Sequence, residues 1–242
     1  MYREFASKAP GVLCTWERSG DGHGSTQIIP DGCVDIVWFR DGRIEVAGPD
    51  TGSRSVSVDP QDIVGLRFAP AMARGFLGVP VGALLDDQPL LRDLGARSLP
   101  VARRLEAQMT QSTRERRQVL EGEVTQAALR FDDLTRTSIG LIRREPRIRV
   151  GALAAELGVS VRQLHRRFVE EVGYGPKFFA RVVRLRRFLA VVERERDLSI
   201  ASFMAGYASQ SHMSDEVREL TSLTAVRFVE AWGGGKNLAS GA

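Results

Sequence analysis

"VGALAAELGVSVRQLHRRF" (residues 150–168) is the stretch whose reading decides the fold. A short apolar-patterned helix runs into Gly158, a turn position where positive φ favours glycine. Ser160 then stands where an N-cap belongs, and a second helix follows. On that helix Leu164 and Phe168 fall four residues apart and face a core, while Arg162, His165 and Arg166 share the opposite face. Helix, glycine turn, capped helix is a helix-turn-helix layout. "LSIASFMAGYASQSHMSDEV" (198–217) repeats it, with Gly206 at the same turn position. Between the copies runs "PKFFARVVRLRRFLAVVERER" (176–196), which as a helix spans about 30 Å. One turn of B-DNA is about 34 Å, so a rigid helix of that length places two reading helices in successive major grooves on one DNA face.

The charge distribution agrees. Residues 1–133 carry 16 Lys/Arg against 19 Asp/Glu, and residues 134–242 carry 18 against 11, so an acidic half precedes a basic one. A basic half calls for a partner with negative charge. No run approaches the roughly 18 uninterrupted apolar residues of a membrane span, and "MYREFASKAP" lacks an export signal's apolar core. The expected location is the cytoplasm. Cys14 and Cys33 are too few for a zinc framework and fit a reducing compartment. His165 has no other His or Cys at ligand spacing, and His23 stands alone in a Gly loop, so neither a metal nor a cofactor is expected. No catalytic constellation is visible. An enzyme of the DNA alkyl-repair kind needs a reactive Cys in a dedicated site, usually held with zinc by four Cys, and two cannot supply that.

Upstream the chain reads as β. "VDIVWF" (34–39) and "RIEVAG" (43–48) flank Asp41-Gly42, a hairpin turn signal, and further strands fit 27–29, 55–58 and 63–68. Several short strands with tight turns suggest a sandwich or small barrel. "PVARRLEAQM" (100–109) and "TRERRQVLEGEVTQAALRF" (113–131) then read as helices. Their apolar stripe either packs on the β domain or forms a dimer contact. The fold class is α+β: a β-rich domain with helices over 1–133, then an all-α domain of two helix-turn-helix units and a linker helix over 134–242.

In the form "LAAELGVSVRQLHRRFVEEVGYGP" and "AGYASQSHMSDEVRELTSLT", residues 134–230 resemble the DNA-binding domain of AraC/XylS-family transcription regulators. The segment "PDGCVDIVW…AGPDT…VGLRFAPAMARGFLGVP" resembles a little-characterised β domain often fused to them. The resemblance implies that Arg162, His165 and Arg166 contact bases and that Arg184 is structural, bridging the subdomains. Arg167 and Arg181 are then phosphate contacts, and Gln210, Ser211, His212 and Ser214 a weaker second set. It implies double-stranded DNA as the main partner, RNA polymerase and a small-molecule effector as further ones, and a homodimer that activates or represses.

The second unit departs from that pattern. It holds 2 Lys/Arg against 5 Asp/Glu over 197–232, whereas 149–196 holds 11 against 5. Asp215 stands where the family commonly has an Arg that reaches DNA, and a carboxylate near phosphates is repelled. Asp215 and Glu216 are therefore expected to face the backbone unfavourably, unless Asp215 reads a cytosine or pairs with Arg218. Phe203, Met204, Tyr207, Met213, Leu220, Leu223 and Phe228 are the expected core. The first unit is the expected main reader, the alternative being a regulator that works through protein contacts without tight DNA binding.

In the β domain, Cys33, Asp35, Val37 and Phe39 share one strand face. An Asp among apolar neighbours needs donors, and Arg67 in "GLRFAP" is the opposite charge of the right type. Asp35–Arg67 is expected as a structural pair, with Asp31, Cys33, Asp35 and Arg67 as the alternative polar end of an effector pocket.

Overall fold

A computed structural model describes residues 1–19, 24–58, 62–108, 112–195 and 197–233. Among these, seven strands come first: β1 Tyr2–Ala6, β2 Val12–Arg18, β3 Gly24–Ile28, β4 Val34–Trp38, β5 Ile44–Ala47, β6 Arg54–Val58 and β7 Ile63–Phe68. Ten α-helices follow among the described residues: α1 Arg74–Leu77, α2 Ser98–Ala107, α3 Thr113–Gln126, α4 Asp133–Arg144, α5 Val150–Glu156, α6 Val161–Val172, α7 Pro176–Glu195, α8 Leu198–Ala205, α9 Gln210–Thr221 and α10 Ala225–Gly233. The architecture is α+β. Among the described residues no helix is long and apolar enough to cross a membrane. His23 and Met109 lie outside the described residues.

Five strands form an antiparallel sheet in the order β1-β2-β7-β4-β5, and β3 pairs with β6 in a separate two-stranded sheet. The period-2 alternation of β4 divides its side chains. Val34, Ile36 and Trp38 enter the main core with Leu66, Phe68, Leu105 and Leu120, while Val37 and Phe39 belong to a small cluster on the other face. β7 is buried along its whole length because both its faces are covered. β1 and β2 were not anticipated, since "YREFA" and "VLCTWER" break their alternation with charges.

The stripe on α2 and α3 packs on the β domain. Val101, Ala102, Leu105, Leu120 and Val124 are all buried in the sheet's core, and Arg116, 2% exposed, donates from α3 to the carbonyls of Trp38 (3.3 Å) and Asp62 (3.2 Å). Five strands leave one apolar face open, and these two helices cover it.

α7 carries two cores. Its N-terminal half packs with α4, α5 and α6, and its C-terminal half with α8, α9 and α10. The β half enters both: Ala71 joins the first core and Ile29 the second.

Candidate nucleic-acid interface

The start of α6 is fixed by a capping box. Ser160 Oγ accepts from Gln163 N (3.2 Å), and Gln163 Oε1 accepts from Ser160 N (3.0 Å). Leu164, Phe168 and Val172 are fully buried against α7, which fixes the rotation of the helix. Arg162, His165, Arg166 and Arg167 are consequently exposed on the other side. Arg167 is held by Asp132 (2.6 Å), the N-cap of α4. Arg162 and Arg166 have no ion-pair partner among the described residues. The ring of exposed His165 lies over Gly175, where an added Cβ would sit 2.7 Å from Nε2 and the ring would have to turn aside.

α9 is built differently. Ser209 caps it, accepting from His212 N (3.1 Å). Gln210, Ser211 and Asp215 are exposed and Ser214 is half-buried. His212 is half-exposed and tied down at both ring nitrogens: its Nδ1 accepts from Ala208 N (3.3 Å) and its Nε2 faces Glu216 Oε1 (3.2 Å). That arrangement suits the tautomer with its proton on Nε2.

Glu216 does not face DNA, which corrects the reading of the two acids as a pair. It is 8% exposed and receives Arg184 through both oxygens, Nε to Oε2 at 3.0 Å and Nη2 to Oε1 at 2.5 Å. Arg184 Nη1 also donates to Pro146 O (2.8 Å), just before α5, so one guanidinium ties both units to α7. Neighbouring residues on a helix point about 100° apart, which lets Glu216 go in while Asp215 stays out. No ion pair joins Asp215 to Arg218 among the described residues. Arg181 pairs with Glu219 and lies 3.6 Å from Glu216, so its charge is already engaged. Phe203 and Met204, expected in the core, are 74% and 54% exposed because α8 packs through Ala201 and Ala205 instead.

The β half holds the C-terminal ends of both α6 and α9. Arg74 reaches Glu170 (3.2 Å) and Glu171 (2.5 Å) at the end of α6. Burial pushes the Glu171 carboxyl upward against the pull of Arg74. At the end of α9, Ser53 N donates to Leu220 O (2.7 Å) and Ser53 Oγ to Thr221 O (2.8 Å).

Within the β half, Asp31, Cys33, Asp35 and Arg67 line one cavity of about 230 Å³ between the two sheets. Asp35 and Arg67 are directly opposed across β4 and β7, and the guanidinium binds the carboxylate through Nε (3.1 and 3.2 Å) and Nη2 (3.1 Å). Trp16 Nε1 donates to the same carboxylate at 2.9 Å. Burial raises the Asp35 carboxyl, and Arg67 opposes that shift. Burial lifts the Cys33 thiol well above its ordinary value and pushes Cys14 up to about 12, so both stay protonated thiols. Trp16 and Tyr2 are wall residues the sequence reading missed. The signal for Trp16 was Gly65: the indole lies across it, and a Cβ there would come within 2.2 Å of the ring.

Residues 153–231 match the family model described as a helix-turn-helix domain, and residues 9–89 match a domain of unknown function (DUF6597). No curated protein matches the chain. Among solved structures, ToxT from Vibrio cholerae O395 has a TM-score of 0.48 at 12% identity, over 91% of this chain and 97% of that one. ToxT bound to (E)-4-(8-methylnaphthalen-1-yl)but-3-enoic acid gives 0.47 at 12%, over 90% and 97%. With its C-terminal helix-turn-helix domain of the AraC type behind a DUF6597 domain, the chain is a DNA-binding transcription regulator.

Proposed function

We propose that this regulator reads double-stranded DNA mainly through α6, with Arg162 and Arg166 on guanine edges and His165 on an acceptor edge. The observation that carries the reading is the contrast between two sets of arginines. Arg162 and Arg166 are exposed, without ion-pair partners among the described residues, on a helix locked by its buried face, whereas Arg181 and Arg184, which meet α9, are neutralised by Glu216 and Glu219. Arg167 keeps Asp132 and adds a phosphate contact. Gln210, Ser211 and Ser214 make a minor second contact, with half-exposed His212 beside them bonded to Glu216. Residues 1–133 form the sensing half, with the cavity at Asp35 and Arg67 for a small effector. Exposed Ile200, Phe203 and Met204 on α8 favour an additional protein contact, RNA polymerase being the partner a regulator meets.

Selecting bound sequences from a random DNA pool identifies the site, and Arg166→Ala then tests the assignment. The variant should lose about 1–3 kcal/mol on the selected site and relax its preference at one base position. Equal loss on all sequences would make Arg166 a phosphate contact.

A further inference from the structure

We propose that Val161 is a specificity-determining residue of the DNA interface, which reads the C5 methyl of a thymine in the half of the site that α6 enters. This rests on α6 as the main reader.

Val161 is an apolar side chain facing water. It is the first residue of α6 and is 50% exposed. Among the described residues of 134–195, no other large apolar side chain is exposed. Local structure does not ask for it. The entry of α6 is set by the capping box of Ser160 and Gln163, and by Val159 before the cap and Leu164 beyond it, which both pack in the core of the first unit. Val161 takes no part in that core. As a β-branched residue it is also a weaker helix former than alanine or glutamate would be there.

The rotation of the helix places it at the reading surface. Leu164, Phe168 and Val172 are buried and fix that rotation. At about 100° per residue, Val161, His165, Arg162 and Arg166 follow one another over an arc of about 140°. Val161 and His165 are four residues apart, so they are neighbours on one flank. Residues at the N-terminus of a recognition helix are those nearest the base edges. At the matching place in α9, directly after its cap Ser209, stands the polar Gln210.

In a major groove an apolar side chain has little to meet. The bases present donors and acceptors there, which valine cannot satisfy and would only strip of water. The apolar feature of the groove is the C5 methyl of thymine. Cytosine carries a hydrogen at that carbon and offers no such contact. Val161 therefore adds an apolar criterion to the polar ones of Arg162, His165 and Arg166.

Removing that methyl from the DNA tests the proposal. On a site selected with the full chain, each thymine of the α6 half is replaced in turn by deoxyuridine, which keeps the base pairing and lacks only the methyl. One replacement should weaken wild-type binding about fourfold, the worth of one buried methyl, and the others should leave it unchanged. Val161→Ala should lose a similar factor on the parent site and become indifferent to that deoxyuridine. Its melting temperature should hold, because Val161 packs in no core. The wild-type series reads the methyl without any variant. No deoxyuridine effect would overturn the proposal, and so would the same effect in Val161→Ala as in wild type. Equal weakening by Val161→Ala on all sequences would mark a backbone contact and overturn it too. If Arg162→Ala/Arg166→Ala keeps the preference for the selected site, α6 itself is not the reader. If that preference vanishes while deoxyuridine does nothing, Val161 alone fails.

Discussion

Arg184 and Glu216 meet through two hydrogen bonds with both side chains almost out of solvent, on a path that also holds Pro146 O. Removing one member strands the other charge, a loss of about 3–5 kcal/mol. Glu216→Gln should therefore cost stability of that order in urea unfolding, whereas Asp215→Asn next to it should leave the midpoint unchanged. Equal effects would place both acids in one environment. Asp132 offers a second test at this scale. Partial burial pushes its carboxyl up, but Thr135 donates to it through backbone N and hydroxyl, and Arg167 adds an ion pair, so its folded value is held below the ordinary one. A depressed folded value means the stabilisation is present above the ordinary Asp value of about 3.9 and is lost as pH falls through the folded value. Wild-type and Asp132→Asn melting curves should differ at neutral pH and converge in acid. A difference that grew on acidification would contradict that sign.

The first helix-turn-helix was legible in the sequence because its signals are local: Gly158 has φ +65, Ser160 caps, and Leu164 and Phe168 are spaced for one face. The second unit was legible only in outline. Its period does not say which of two adjacent acids points inward, and the partner that decides, Arg184, lies 32 residues away. The same limit applies to Phe203 and Met204, whose apolar character suggested burial that the small-residue face of α8 takes instead. In the β half, the shared face of Cys33, Asp35, Val37 and Phe39 was readable from alternation, as were strands near β3 and β6, but the pairing of those two into a separate covering sheet and the flanking β1 were not. With Glu216 inside, Asp215 is left as an exposed acid on α9. Asp215→Arg should tighten binding to random duplex and steepen the log–log salt slope by about one unit, since each phosphate contact contributes about 0.9. Its melting temperature should not change, because no pair with Arg218 is broken. An unchanged affinity and slope would keep α9 away from DNA altogether.

Across the whole molecule, the β half grips the far ends of α6 and α9 through Arg74 and Ser53, while their capped N-terminal ends carry the exposed polar residues. Residues near the N-terminus of a recognition helix are those that reach base edges, so under the proposed function this grip would fix the angle between the two helices and leave those ends open. Arg74→Ala, which frees the end of α6, should alter affinity for a two-groove site more than for a duplex containing one half-site. The central claim is that α6 reads and α9 assists. Fluorescence anisotropy on a selected site and a random duplex tests it with two double variants, Arg162→Ala/Arg166→Ala and Gln210→Ala/Ser211→Ala. The first should erase the preference for the selected site, each arginine contributing about 1–3 kcal/mol, and the second should change it by less than about threefold. Preference that survives loss of both arginines, but vanishes with Gln210 and Ser211, would contradict the account.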